Sequence, residues 1–281
     1  MGDIPTVRNS NPVYDESGEW IKQSGINEAN ATPGVGDNDF VYSDDINGWT
    51  SIGIGDSPDN IGAGINNDKS IFVEEGTAIL SSLNEISDVV VRVGATLIVE
   101  DAITLNGDFA NFGKVIFRST EKETAAFGEF DAINRKLVGD NFEIERFIPK
   151  KNRAHRYLSS SVTTTTSIRD NWQEGVNNTD TGDANNINPN PGFGTHITGS
   201  ETGASGFDAT LTGNPSMFEW NASIQSWNPI PNTDTKTFNA GEAYSLLFRG
   251  DRSTTLNSND AVGPSTTLRT TGRLVVGSQG V

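Results

Sequence analysis

Three glycines, Gly76, Gly94 and Gly113, constrain this chain more than any other feature because they recur at a nearly constant interval. They lie 18 and 19 residues apart, each between short apolar runs: Phe72-Val-Glu-Glu-Gly76-Thr-Ala-Ile-Leu80, Val90-Val-Arg-Val-Gly94-Ala-Thr-Leu-Ile98 and Ala110-Asn-Phe-Gly113-Lys-Val-Ile-Phe117. A strand, a glycine turn and a second strand repeated in this way predict a right-handed β-solenoid. Stacked coils bury apolar ladders that no single coil could bury alone. About three coils are expected. A helix over 78–86 competes, since Ile79, Leu83 and Ile86 follow helical spacing. The Val89-Val90-Val91 run and the recurring glycine favour strands.

The ends of so short a solenoid need covering. Residues 1–68 are rich in Asp, Asn and Gly, with isolated aromatic anchors at Trp20, Phe40, Tyr42 and Trp49, and read as an N-terminal cap. A polar stretch from about Phe127 to Asp140 reads as a junction, so the expected domains are 1–139, cap plus solenoid, and 140–281. In the second, Phe142–Ile148, Arg156–Leu158, Gly194–Gly199, Ser216–Trp220, Gln225–Trp227, Ala243–Arg249 and Leu268–Val276 read as strands. Asn221-Ala-Ser-Ile224 would be the hairpin turn between the two Trp strands. Ser167 with Asp170 three residues on forms a helix N-cap signal; Ile168 and Trp172 would share one face before Gly175. The fold class is therefore all-β: a short right-handed β-solenoid with an N-terminal cap, followed by a jelly-roll-like β-sandwich.

Charge narrows the partners. The formal net charge of −17 opposes nucleic acid and anionic lipid. No segment is long and apolar enough to suggest direct membrane insertion. The absence of cysteine removes disulfides, thiolate nucleophiles and thiolate metal sites. Met1-Gly-Asp reads as a mature fragment behind an added start codon, and the strand-like ending near Val281 as a chain that continues.

The ordered set Glu145-Arg-Phe-Ile-Pro-Lys150, Arg156-Tyr-Leu-Ser-Ser-Ser-Val162 and Ser167-Ile-Arg-Asp-Asn-Trp-Gln-Glu-Gly175 continues with Asn190-Pro-Gly-Phe-Gly-Thr-His-Ile-Thr-Gly199 and Gly206-Phe-Asp208. Asn214-Pro-Ser-Met-Phe218, Ala240-Gly-Glu-Ala-Tyr244 and Arg249-Gly-Asp-Arg252 complete it. This set, covering about half the chain, resembles a segment of large modular, adhesin-like surface and secreted proteins of Bacteroidetes-type bacteria. The resemblance implies preceding solenoid-like repeats, export through the type IX secretion system and an extracellular or cell-surface location. It brings no catalytic residue set. The sorting domain of such proteins is not among these residues, so the chain would be an interior portion joined to other modules of the same polypeptide.

Reactive chemistry is sparse. His155 and His196 are the two histidines, too few for a multi-histidine zinc site. His155 near Ser159 and Ser160 lacks the setting of a nucleophile elbow. Glu143 and Glu145 share a strand face, but glycosidase chemistry needs carboxyls across a cleft. Arg249-Gly250-Asp251 matches an integrin-binding tripeptide, against a simple glycine turn between opposite charges. Calcium is the better-suited ion, because Asp37, Asp39, Asp44, Asp45, Asp180 and Asp183 offer hard oxygens on loops, although no EF-hand closing Glu follows. Lys150, Lys151, Arg153 and Arg156 could meet an acidic glycan or the acidic N-terminal domain. Trp220 and Trp227 are candidates for a sugar-stacking platform, against the commoner role of hairpin tryptophans as core filler.

The expected function is non-enzymatic: an extracellular module binding glycans or surface polymers. The alternatives are an accessory domain of a secreted polysaccharide-degrading enzyme and a filament-forming structural subunit.

Overall fold

The computed structural model describes residues 70–81, 84–182, 186–257 and 262–276, together with the backbone of four short strands nearer the N-terminus. The protein is all-β, with one five-residue α-helix among the described residues. It divides into two compact units, residues 1–116 with 125–141 and residues 117–124 with 142–281.

The first unit starts with strands β1 (Val13–Tyr14), β2 (Trp20–Ile21), β3 (Phe40–Ser43) and β4 (Gly48–Ser51). Three-strand groups then repeat: β5 (Ile71–Val73), β6 (Thr77–Leu80) and β7 (Asn84–Ile86); β8 (Val89–Val91), β9 (Thr96–Val99) and β10 (Ala102–Leu105). Next come β11 (Phe109–Asn111), β12 (Lys114–Phe117), β13 (Ala126–Phe127) and β14 (Leu137–Val138). Pairing is parallel between equivalent strands: Ile71 with Val89, Val89 with Phe109, Thr77 with Thr96, and Asn84 with Ile103. The helical alternative over 78–86 is wrong. Ala78 and Leu80 are buried while Thr77 and Ile79 are exposed, the two-residue period of a strand, and β6 hydrogen-bonds along β9. The glycine repeat caught two strands of each group; the third, β7 or β10, carries no glycine signal.

Successive groups reuse their corners. Asp88 Oδ1 accepts from the Asp108 amide at 2.7 Å, and Asp108 Oδ1 from the Lys136 amide at 2.8 Å, so one group's side chain satisfies the backbone of the next. Gly113 is forced by crowding, since a Cβ there would lie 2.3 Å from the carbonyl oxygens of both Arg92 and Ala95. Gly94 is forced by its φ of +85° alone, with open space around it.

The second unit holds β15 (Phe142–Ile148), β16 (Ala154–Ser159), β17 (Val162–Thr163), helix α1 (Ile168–Trp172), β18 (Thr198–Ser200), β19 (Asp208–Ala209), β20 (Met217–Asn221), β21 (Ser226–Pro229), β22 (Ala243–Phe248) and β23 (Thr266–Leu274). Antiparallel β23 lies between β17 and β15, and a second antiparallel sheet runs β16-β22-β20-β21. Ile148 and Leu268 from the first sheet and Met217, Tyr244, Leu246 and Phe248 from the second share one buried cluster with Trp172 and Phe238. Ser167 caps α1 through a reciprocal box with Asp170, as its spacing predicts, and Trp172 Nε1 donates to Thr270 Oγ1 at 2.9 Å. The expected strand over 194–199 is realised only from Thr198, because Thr195 and His196 bond to the chain around Gly250–Arg252.

The two glycine mechanisms predict different losses. Gly94→Ala should cost about 1–2 kcal/mol of left-handed strain, whereas Gly113→Ala must displace backbone and should lower the unfolding temperature considerably further in calorimetry.

Candidate ligand-binding face

Side chains alternate across a strand, and in the four-stranded sheet that alternation separates two different surfaces. Met217, Tyr244, Leu246 and Phe248 face the core. The register places the opposite set together: His155 and Tyr157 on β16, Ser245 and Leu247 on β22, Phe218 and Trp220 on β20, and Trp227 on β21. This outer face carries aromatic rings where an acidic chain would be expected to show charge.

The rings form a continuous strip. Tyr157, 74% exposed, stacks on Trp227 with centroids 5.5 Å apart and planes 27° from parallel. Trp227 meets Trp220, 41% exposed, at 5.3 Å and 60°. Tyr157 and Trp227 come from opposite edge strands and meet over the middle of the sheet, where β22 offers only the small residues Ala243 and Ser245. Further along, His155 lies 6.3 Å from the Phe218 ring and its Nδ1 is 3.0 Å from Ser245 Oγ. The two predicted tryptophans are thus side by side on the outside and not in the core. Tyr157, His155 and Phe218 were missed as members, although the two-residue spacings His155–Tyr157 and Phe218–Trp220 carry the signal.

Of the serines near His155, Ser160 is engaged elsewhere: its Oγ donates to the Val162 carbonyl at 2.6 Å in a turn. Asp251 of the Arg-Gly-Asp tripeptide is buried, accepting from the Ser253 amide at 2.9 Å and the Gly192 amide at 3.2 Å, which removes the integrin reading. Asp180 accepts from the Gly182 amide at 2.7 Å in an exposed turn. Asp37, Asp39, Asp44, Asp45 and Asp183 lie outside the described residues. Among the described residues no three His, Asp or Glu side chains gather as a metal site.

Behind the sheet sits a buried polar cluster that the sequence reading did not single out. Asp208 and Arg252 are both fully buried; Arg252 Nη2 and Nη1 donate to the two carboxylate oxygens at 2.7 and 3.0 Å. The carboxylate also accepts from the amides of Ile197 and Asn178, each at 2.9 Å, and from Gln173 Nε2 at 3.1 Å. His196 Nε2 donates to the Arg252 carbonyl at 2.9 Å; its Nδ1 faces Asp208 Oδ1 at 3.3 Å, within ion-pair range but outside hydrogen-bond alignment. With Nε2 committed and the ring wholly buried, His196 has no position from which to activate a nucleophile. Burial, the largest influence on Asp208, raises its affinity for a proton; the adjacent His196 ring and the charge and paired hydrogen bonds of Arg252 together outweigh it and hold the carboxyl well below its ordinary range.

Compared with protein-family models, curated proteins and solved structures, the chain matches none.

Because the folded carboxyl is held low, the stability that Asp208 contributes is complete above the ordinary aspartate value near 3.9 and drains away as pH falls below it. Asp208→Asn leaves Arg252 buried without its counter-charge, so about 3–5 kcal/mol should be lost at pH 7. The variant should then show a shallower further loss on acidification, read by urea unfolding at a series of pH values.

Proposed function

We propose that this chain is a non-enzymatic, extracellular module of a larger bacterial surface or secreted protein, and that it binds glycans on the outer face of the four-stranded sheet. The contiguous Tyr157–Trp227–Trp220 strip carries this reading. Aromatic faces are flat, polarisable and electron-rich, suited to the C–H faces of sugar rings, and half-exposed tryptophans on a paired sheet are held in place before any ligand arrives. A large exposed aromatic patch also calls for a partner.

In the same reading the first unit is a short right-handed β-solenoid, supported by parallel pairing of equivalent strands at intervals of eighteen to twenty residues. The second unit is a jelly-roll-like β-sandwich, supported by two antiparallel sheets that share a core. Surface location and type IX export rest on the resemblance of the 145–252 segments. Calcium on the acidic loops belongs to the same proposal and would be read as a rise in unfolding temperature on adding calcium, reversed by chelation. A glycan-binding face would equally serve an accessory module of a polysaccharide-degrading enzyme.

On a glycan array, the full chain should bind a restricted set of polysaccharides. Trp220→Ala and Trp227→Ala should each weaken that binding by about tenfold or more, with the unfolding temperature little changed because neither ring belongs to the core. Silence across the array, or binding indifferent to both substitutions, would defeat the reading.

A further inference from the structure

One end of the aromatic strip runs into a group of cations that make no ion pair among the described residues. Phe248 closes β22 opposite Ala154, so Arg249 follows four positions beyond Ser245, the partner of Tyr157. At ~3.3 Å per residue that is roughly 13 Å along the sheet. Lys151 bridges to Gly263, and Gly263 packs so closely on Arg249 that a Cβ there would lie 2.0 Å from the Arg249 carbonyl oxygen. Lys151 and Arg249 are therefore neighbours.

Four cations of this unit are neutralised by acidic partners. Arg169 pairs with Asp234, Lys236 with Glu219, Arg252 with Asp208 and Arg269 with Glu174. Lys150, Lys151, Arg156 and Arg249 have no ion pair among the described residues. Arg249 donates only a long 3.4 Å bond to the Leu247 carbonyl, and its buried Nε has no partner. In a chain with 37 acidic residues against 20 basic ones, the outward positions between Arg249 and the tryptophans include no Asp or Glu. The electrostatics of Arg249 agree with the geometry: burial first, and then the charge of Arg153, outweigh the attraction of the more distant Asp208 and draw its pKa down to about 10. That environment would favour an anion beside it.

Resting on the glycan-binding reading above, we infer that the ligand is a uronic-acid-containing polysaccharide, its sugar faces on Tyr157, Trp220 and Trp227 and a carboxylate seated on Arg249 and Lys151. A uronate carries its carboxylate at the edge of the ring, leaving the ring face free to stack. A guanidinium matches that carboxylate with two parallel N–H donors. The unpaired charges would also speed capture of an acidic polymer that the chain's overall charge repels.

The test titrates the full chain with oligogalacturonate and oligoalginate and with the methyl ester of the galacturonate, which keeps the rings and removes the charge. Calorimetry at low and high salt should find the acid forms bound about tenfold or more tighter than the ester. Arg249→Gln and Lys151→Gln should each shrink that gap, as should salt, while Trp227→Ala weakens acid and ester alike. Lys151 is exposed, so its variant keeps the test valid if Arg249→Gln misfolds. Equal binding of acid and ester overturns the anion seat and leaves the aromatic platform standing. Failure of both uronates while a neutral or sulfated glycan binds in a Trp227-dependent way overturns the assignment of a uronate ligand. Failure of every glycan overturns the platform as well.

Discussion

The second unit is organised around a carboxylate shut away from solvent. Asp208 sits fully buried and is satisfied by Arg252, by Gln173 and by two backbone amides drawn from separate loops. Each donor arrives from a different part of the chain: the end of α1, the stretch after it, the segment before β18 and the loop after β22. Removing such a centre does not merely delete a contact, because the remaining charge cannot be buried alone. Those loops lie next to the strands that carry the core face of the four-stranded sheet, so their fixed positions hold the sheet from behind.

With one face committed to Tyr244, Leu246, Phe248 and Met217, the other is left facing outward and is the surface on which the proposed recognition rests. Alternation does the sorting: a one-residue slip in β20 would exchange Phe218 and Trp220 for Met217 and Glu219. The present register keeps Glu219 on the other side with Lys236 and gives the outer face to aromatic rings and, at one end, to cations. The same economy of position appears in the first unit, where Asp88 and Asp108 repeat one corner contact from group to group.

Much of this was legible in the sequence where local rules dominate. The glycine period marked parallel strands, and Ser167 with Asp170 marked the helix, because caps and turns depend on neighbours a few residues away. Most strands of the second unit were placed within two residues. What escaped were the long-range convergences. Asp208, His196 and Arg252 are 12 and 44 residues apart in sequence, and nothing local announces that they meet; they read instead as scattered pieces of the motif set that resembles exported surface proteins. Tyr157 escaped for the same reason, since it meets Trp227 only when two edge strands reach across a sheet. The Arg249-Gly250-Asp251 tripeptide shows the opposite case, in which the plain reading as a glycine turn between opposite charges outweighs the motif. The Asp251 carboxylate turns inward to accept from two amides.

The central claim is that Trp220 and Trp227 stand on a ligand-binding surface while Trp172 belongs to the core. The most direct measurement follows the indole N–H resonances of the chain by NMR during titration with a bound oligosaccharide. The account predicts progressive shifts at Trp220 and Trp227 and a still signal at Trp172, whose N–H is already held by Thr270. Binding that leaves both hairpin tryptophans unmoved would contradict it.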